Sequence, residues 1–161
     1  MRDSQLTELS GRHLLIAQLV AGGLEVAIPL RDRGVDLIAY LDLSAATPQF
    51  MSCPIQMKAS QKARFSLEKK YKKLANLLIA YVWHVEDPAK ACVYALTYRE
   101  ALALLDKRRH TKTDSWRKKN GYSVPNPGPD WLRDLEPFRM SPKSWGERIR
   151  SALRPTQAKQ A

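Results

Sequence analysis

Apolar positions along the chain follow two rhythms. Over residues 3 to about 21, Leu6, Leu9, His13, Ile16, Ala17 and Val20 recur at helical steps. That stripe predicts an amphipathic helix, with Ser4 as its cap and Gly22–Gly23 as its stop. The pattern then tightens. "LEVAIPL" (24–30) reads as a strand ending near Pro29, and "RDRG" (31–34) as a turn with Gly34 at its end. "VDLIAYLDL" (35–43) is a nearly apolar strand, "SAATPQ" (44–49) a loop, and "FMSCPIQMKA" (50–59) the returning strand. Two strands joined by so short a loop form an antiparallel hairpin.

Beyond the hairpin the period changes again. "SLEKKYKKLANL" predicts a helix from about 66 to 75. "NLLIAYVWHV" (76–85) is β-branched and aromatic, which predicts a buried strand. "EDPAK" turns the chain, "ACVYALT" (91–97) gives a further strand, and "YREALALLDKR" (98–108) a helix. The predicted order is α-β-β-β-α-β-β-α within one sheet, an α/β (α+β) class. From about 107 the chain becomes basic and rich in Pro and Gly, yet it holds Trp116, Tyr122, Trp131, Phe138 and Trp145. The expectation is a core domain over 1–106, an irregular extension over 107–154 that wraps the core and buries those rings, and a disordered tail over 155–161.

A chain of 161 residues, 44% apolar, is sized for one domain with its own core. Its 27 Lys and Arg against 16 Asp and Glu give a net charge of +11, a balance that points to a polyanionic partner, with nucleic acid first. Lys62, Arg64, Lys69, Lys70, Lys72 and Lys73 cluster around Tyr71, and Arg108 and Arg109 extend the basic set. Phosphate contacts from such groups position DNA without reading its sequence. The cysteines, Cys53 and Cys92, have no metal-ligand spacing, and neither Ser nor Cys lies in a nucleophile elbow. Nothing reads as a secretory leader or a membrane span, so the expectation is a soluble, cytoplasmic chain with no membrane partner.

The chemistry concentrates on the hairpin. Asp36 begins its first strand, while Gln56 and Lys58 lie toward the end of its second, on one face of the pleat. Antiparallel pairing brings these places side by side. An acid, a carboxamide and an ammonium thus converge on an otherwise apolar sheet. Carboxylate and amide oxygens are hard ligands suited to Mg2+ or Mn2+. A divalent ion beside a phosphodiester acts as a Lewis acid, and a lysine supplies compact positive charge for the scissile phosphate.

"GVDLIAY" followed by "IQMKAS", behind a helix carrying Glu8 and ahead of a basic segment, resembles the PD-(D/E)XK, restriction-endonuclease-like nuclease superfamily. The resemblance is nearest to small Holliday-junction-resolvase-like members and covers about residues 4 to 97. It implies an αβββαβ core with a mixed central sheet flanked by helices, and a metal-dependent DNA endonuclease. Asp36 would be the metal-binding aspartate, Gln56 and Lys58 the acid-x-lysine pair, and Glu8 the glutamate of the first helix. Gln56 departs from the usual acid and gives a QxK variant, and Lys62, Arg64, Lys69, Lys70, Lys73, Arg108 and Arg109 would meet the DNA backbone. A homodimer stays open, since cutting both strands takes two sites. So do a catalytically inactive nucleic-acid-binding protein of the same fold and a protein-interaction module.

Overall fold

The computed structural model of this chain describes residues 3–31, 33–41 and 50–153; Asp42, the loop expected over 44–49 and the tail expected over 155–161 lie outside them. Helix α1 runs Ser4–Ala21, and its cap is Asp3 rather than Ser4: the Asp3 side chain accepts from the backbone N–H of Gln5 and Leu6. The predicted stripe is not its buried face. Leu6, Leu9 and Val20 are 60, 47 and 56% exposed, and the residues in the core are Gly11, Leu15 and Leu19. A glycine marks that face because the helix lies directly on a strand: a Cβ at Gly11 would stand 2.5 Å from the Cβ of Ala59.

Strands β1 (Leu24–Ala27), β2 (Leu37–Leu41), β3 (Ser52–Ser60), β5 (Leu78–Trp83), β6 (Cys92–Thr97) and β8 (Arg139–Met140) form one six-stranded sheet in the order β1-β2-β3-β5-β6-β8. The β2–β3 hairpin is antiparallel, with Leu37 opposite Ile55, and β3 pairs in parallel with β5. The sheet is therefore mixed. Strand β5 is buried along its whole length and serves both faces by alternation. Leu78, Ala80 and Val82 join α1 residues Leu15 and Leu19 in one core; Ile79, Tyr81 and Trp83 join Phe65, Leu104 and Leu105 in the other.

The helix expected over 66–75 is absent. In its place stand strand β4 (Arg64–Glu68) and a single 3-10 turn over Lys69–Lys73. β4 alternates exposed Arg64, buried Phe65, half-buried Ser66, buried Leu67 and half-buried Glu68, a period that belongs to a strand. High helix propensity of the lysines is overridden by burial of Phe65, Leu67 and Tyr71. Strand β4 does not join the main sheet. It pairs antiparallel with β7 (Gly121–Pro125), and this ribbon lies across the Ile79–Tyr81–Trp83 face. Two hydrogen bonds pin it there: Tyr81 Oη donates to the Ser66 carbonyl (2.7 Å) and Trp83 Nε1 to the Arg64 carbonyl (2.9 Å).

Residues 107–153 carry more regular structure than an irregular extension. Helix α2 (Tyr98–Lys107) is followed by α3 (Asp114–Lys118), β7, α4 (Pro129–Leu135), β8 and α5 (Trp145–Leu153). β7 completes the ribbon, β8 adds an edge to the main sheet, and Trp145 and Ile149 of α5 enter the core against α1. Trp145 Nε1 donates to Gln18 Oε1 at 3.0 Å. Trp131 and Trp145 are buried. No helix among the described residues is long and apolar enough to cross a membrane.

Candidate active site

Strand β3 has nine residues and β2 five, so β3 runs on past the start of its partner. The ladder reaches Asp36, whose N–H donates to the Ile55 carbonyl at 2.9 Å. The next outward N–H of β3 is that of Met57, and no β2 residue remains to take it. The Asp36 carboxylate does so: Met57 N–H donates to Oδ2 at 2.6 Å. The same Oδ2 accepts from Gln56 Nε2 at 2.5 Å, and that amide also donates to the Met57 carbonyl at 3.1 Å. Asp36, Gln56 and the Met57 peptide form one closed knot at the hairpin's open end. Gln56 is only 8% exposed and is the one buried polar side chain among the described residues.

Lys58 lies two residues further on, on the same side of the pleat. Its partner is not Asp36 but Glu68 of β4: Nζ stands 2.5 Å from Oε1. Glu68 also takes Lys70 Nζ at 2.8 Å and the Tyr71 hydroxyl at 3.0 Å. Burial opposes ionisation of Glu68, but hydrogen bonds from Lys58 and Lys70 outweigh it and hold its carboxyl at about 2. Burial, with the Glu68 charge second, pushes the Tyr71 hydroxyl upward, so it stays protonated and donates. Lys58 Nζ also sits 5.3 Å from the centre of the Tyr71 ring.

A cleft of about 730 Å³ joins these groups. Asp36, Gln56, Met57 and Lys58 line it together with Glu8, Lys62, Arg64, Ser66 and Asn126. Glu8 is exposed, shares the cleft and forms an i,i+4 pair with Arg12 at 2.7 Å. Among the described residues no group of three His, Cys, Asp or Glu is placed to hold a metal ion.

The basic residues divide. Lys62 and Arg64 line the cleft, and Lys73 and Arg109 are exposed. Lys70 is committed to Glu68. Two others hold the extension in place. Lys69 Nζ donates to the Trp116 carbonyl and lies 5.0 Å from the centre of its ring. Arg108 pairs with Asp134, donates to the Asp130 carbonyl at 3.0 Å and covers the Trp131 ring at 4.2 Å. Both cations are thus engaged with neighbouring groups inside the molecule.

Sequence reasoning missed Glu68, Tyr71 and the Met57 carbonyl. The sequence puts the first two on a helix over about 66 to 75. The alternation from Arg64 to Glu68 was the available signal, since it puts Glu68 on the side shared by Arg64 and Ser66.

Neither the protein-family models nor the curated proteins include a match to this chain. Among solved structures it is similar to a bacterial homing endonuclease, I-Ssp6803I, over 94% of this chain and 95% of that one, with a TM-score of 0.51 and 11% identity. The mixed sheet flanked by helices is thus an endonuclease-like fold.

Proposed function

We propose that the chain is a divalent-metal-dependent DNA endonuclease of the PD-(D/E)XK type in its QxK form. The observation that carries the reading is the convergence of Asp36 Oδ2 and the Met57 carbonyl on one amide group of Gln56, within a cleft that also holds Lys58. Two oxygens that meet on a single polar nitrogen outline the kind of position a small hard cation takes. The donor set fits Mg2+ or Mn2+: one carboxylate, one backbone carbonyl and, after a half-turn of the Gln56 amide, its Oε1. Such an ion supplies Lewis-acid polarisation of the scissile phosphate when bound.

The chain's own residues do the rest. The Met57 N–H fixes the Asp36 carboxylate at the cleft wall. Lys58 donates to an oxygen of the scissile phosphate and offsets the charge that develops there. Glu68 holds that ammonium in an ion pair until phosphate competes for it. Lys62 on the cleft wall, with exposed Lys73 and Arg109, holds the DNA backbone, and Arg64 beside Lys62 also meets the DNA. A homodimer would bring two such sites to the two strands.

Plasmid cleavage with Mg2+ or Mn2+, comparing wild type with Asp36→Ala and Lys58→Ala, tests this reading. Loss of at least about a hundredfold in both variants is expected, on the scale of removing one charge-stabilising group. Cleavage that survives both substitutions sinks it.

One observation favours a second reading, a nucleic-acid-binding protein without turnover. The Gln56 amide nitrogen already satisfies Asp36, so the knot is complete with no cation. Salt-dependent DNA binding without metal-dependent cleavage would single it out.

A further inference from the structure

The ribbon of β4 and β7 has two unlike sides. Its inner side, Phe65, Leu67, Tyr122 and Val124, packs into the core, where Phe65 stacks on Tyr81 at 4.9 Å and meets Trp131 at a tilt, also at 4.9 Å. Its outer side carries Arg64, Ser66 and Glu68 on β4, opposite Pro125, Ser123 and Gly121 on β7. Arg64, Ser123 and Pro125 are exposed, and Arg64 Nε donates to Ser123 Oγ across the strands at 3.1 Å. No Val, Leu, Ile or aromatic side chain interrupts this outer row.

Three features give the row a nucleic-acid partner of a particular form. The first is continuity: Arg64, Ser66, Pro125 and Asn126 line the same cleft as Asp36, Gln56 and Lys58. The second is charge. Lys62 precedes the ribbon and Lys119 flanks it, whereas its only acid, Glu68, is already matched by Lys58 and Lys70. The third is shape and stiffness. A two-stranded ribbon is a size that the major groove of B-DNA, about 12 Å wide, admits. This ribbon is held from behind by the Tyr81 and Trp83 hydrogen bonds, so its outer side chains stand on a fixed base.

We propose that the outer face of the β4–β7 ribbon enters the major groove of duplex DNA and reads base edges beside the cleft, with Arg64 as its principal specificity determinant. This deepens the endonuclease reading, on which it rests, by naming the substrate as duplex DNA with sequence preference near the cut. The chemistry follows from the side chains. The guanidinium of Arg64 matches the N7 and O6 acceptors of guanine, and Ser66 and Ser123 hydroxyls adapt to donors or acceptors. Five residues of strand at about 3.3 Å each span about 17 Å, or about five base-pair steps at 3.4 Å.

The test separates reading from cutting. A randomised duplex library is bound by wild type, Arg64→Ala and Arg150→Ala in EDTA, and the bound fraction is sequenced. Arg150 is exposed on α5, whose Trp145 and Ile149 pack in the core on the opposite side of the sheet. Wild type and Arg150→Ala should enrich one short motif containing guanine. Arg64→Ala should still bind but lose discrimination at one or two positions, by about fivefold to a hundredfold. Binding with no enriched motif, a motif unchanged in Arg64→Ala, preference for single strands or junctions over duplex, or no DNA binding at all would each overturn the proposal. Cleavage of the same library with Mg2+ is scored apart. Its absence beside an Arg64-dependent motif would refute the nuclease reading and leave the groove-reading ribbon standing.

Discussion

Lys58 of β3 and Glu68 of β4 face each other with Nζ 2.5 Å from Oε1, across the junction of the main sheet and the ribbon. The pair links the proposed phosphate-contacting cation to the element that replaced an expected helix. Removing the carboxylate frees two ammonium groups, Lys58 and Lys70, and leaves the Tyr71 hydroxyl without its acceptor. Glu68→Ala should therefore bind DNA more tightly, through the added positive charge, while turning over more slowly because Lys58 is no longer aimed. We expect KM to fall and kcat to drop by about tenfold or more, the scale of a mispositioned catalytic group. A merely structural role would leave kcat per folded molecule unchanged. Steady-state cleavage of a defined oligonucleotide duplex distinguishes the two.

The same carboxylate makes stability depend on acid. Its folded-state value is depressed, to about 2 from an ordinary 4.5. A depressed acid stabilises the fold above its unfolded value and loses that contribution as pH falls through the folded one. The gap in melting temperature between wild type and Glu68→Gln should be full at about pH 5 and shrink steadily toward pH 2. Added salt should narrow it, since the Glu68 side chain is 35% exposed.

Gln56 responds to metal in a way that needs no cleavage to be seen. Gln56→Glu places a second carboxylate where an amide now donates 2.5 Å from Asp36 Oδ2. Without a cation the two acids repel, and the Met57 carbonyl loses its donor. Melting in EDTA should show a loss of about 1–3 kcal/mol, the range for an unsatisfied buried polar group. Mg2+ or Mn2+ should restore the variant far more than the wild type, because an added charge strengthens a hard-cation site. Equal response of the two proteins to metal would count against a cation position at this knot.

Gly11→Ala tests the contact that seats α1. Its new Cβ would meet the Ala59 Cβ at 2.5 Å and Val85 Cγ1 at 3.5 Å, and Ala59 belongs to β3 beside Lys58. Helix propensity gains about 1 kcal/mol from the change. Overpacking costs about 1–3 kcal/mol. Urea denaturation should show a net loss.

The hairpin and its convergent residues were legible in the sequence because strand length and turn chemistry are local. Gly34, at φ 89°, closes the turn before Asp36, and the register follows. The fully buried β5 was also legible, as an unbroken apolar run. Two faces were misjudged for a common reason. On α1 the leucines at 6 and 9 outvoted a glycine, although close approach to β3 makes Gly11 the true centre of the buried side. Along 64–73 the lysines outvoted Phe65, Leu67 and Tyr71, whose burial depends on Tyr81, Trp83 and a strand from residues 121–125, distant in sequence. Glu68 was invisible for the same reason: its partners are set by a ribbon that only the C-terminal third completes.

The strict alternation of that ribbon separates two kinds of inheritance. Phe65, Leu67, Tyr122 and Val124 answer to the core, whereas Arg64, Ser66, Ser123 and Pro125 answer only to what lies outside. Substitutions at exposed Arg64, Ser123 and Pro125 leave the Tyr81 and Trp83 bonds in place, since those go to main-chain carbonyls. A lineage carrying this fold can thus drift in what it recognises while its folding stays constant, and related chains should diverge fastest at positions 64, 66, 123 and 125 of these two strands.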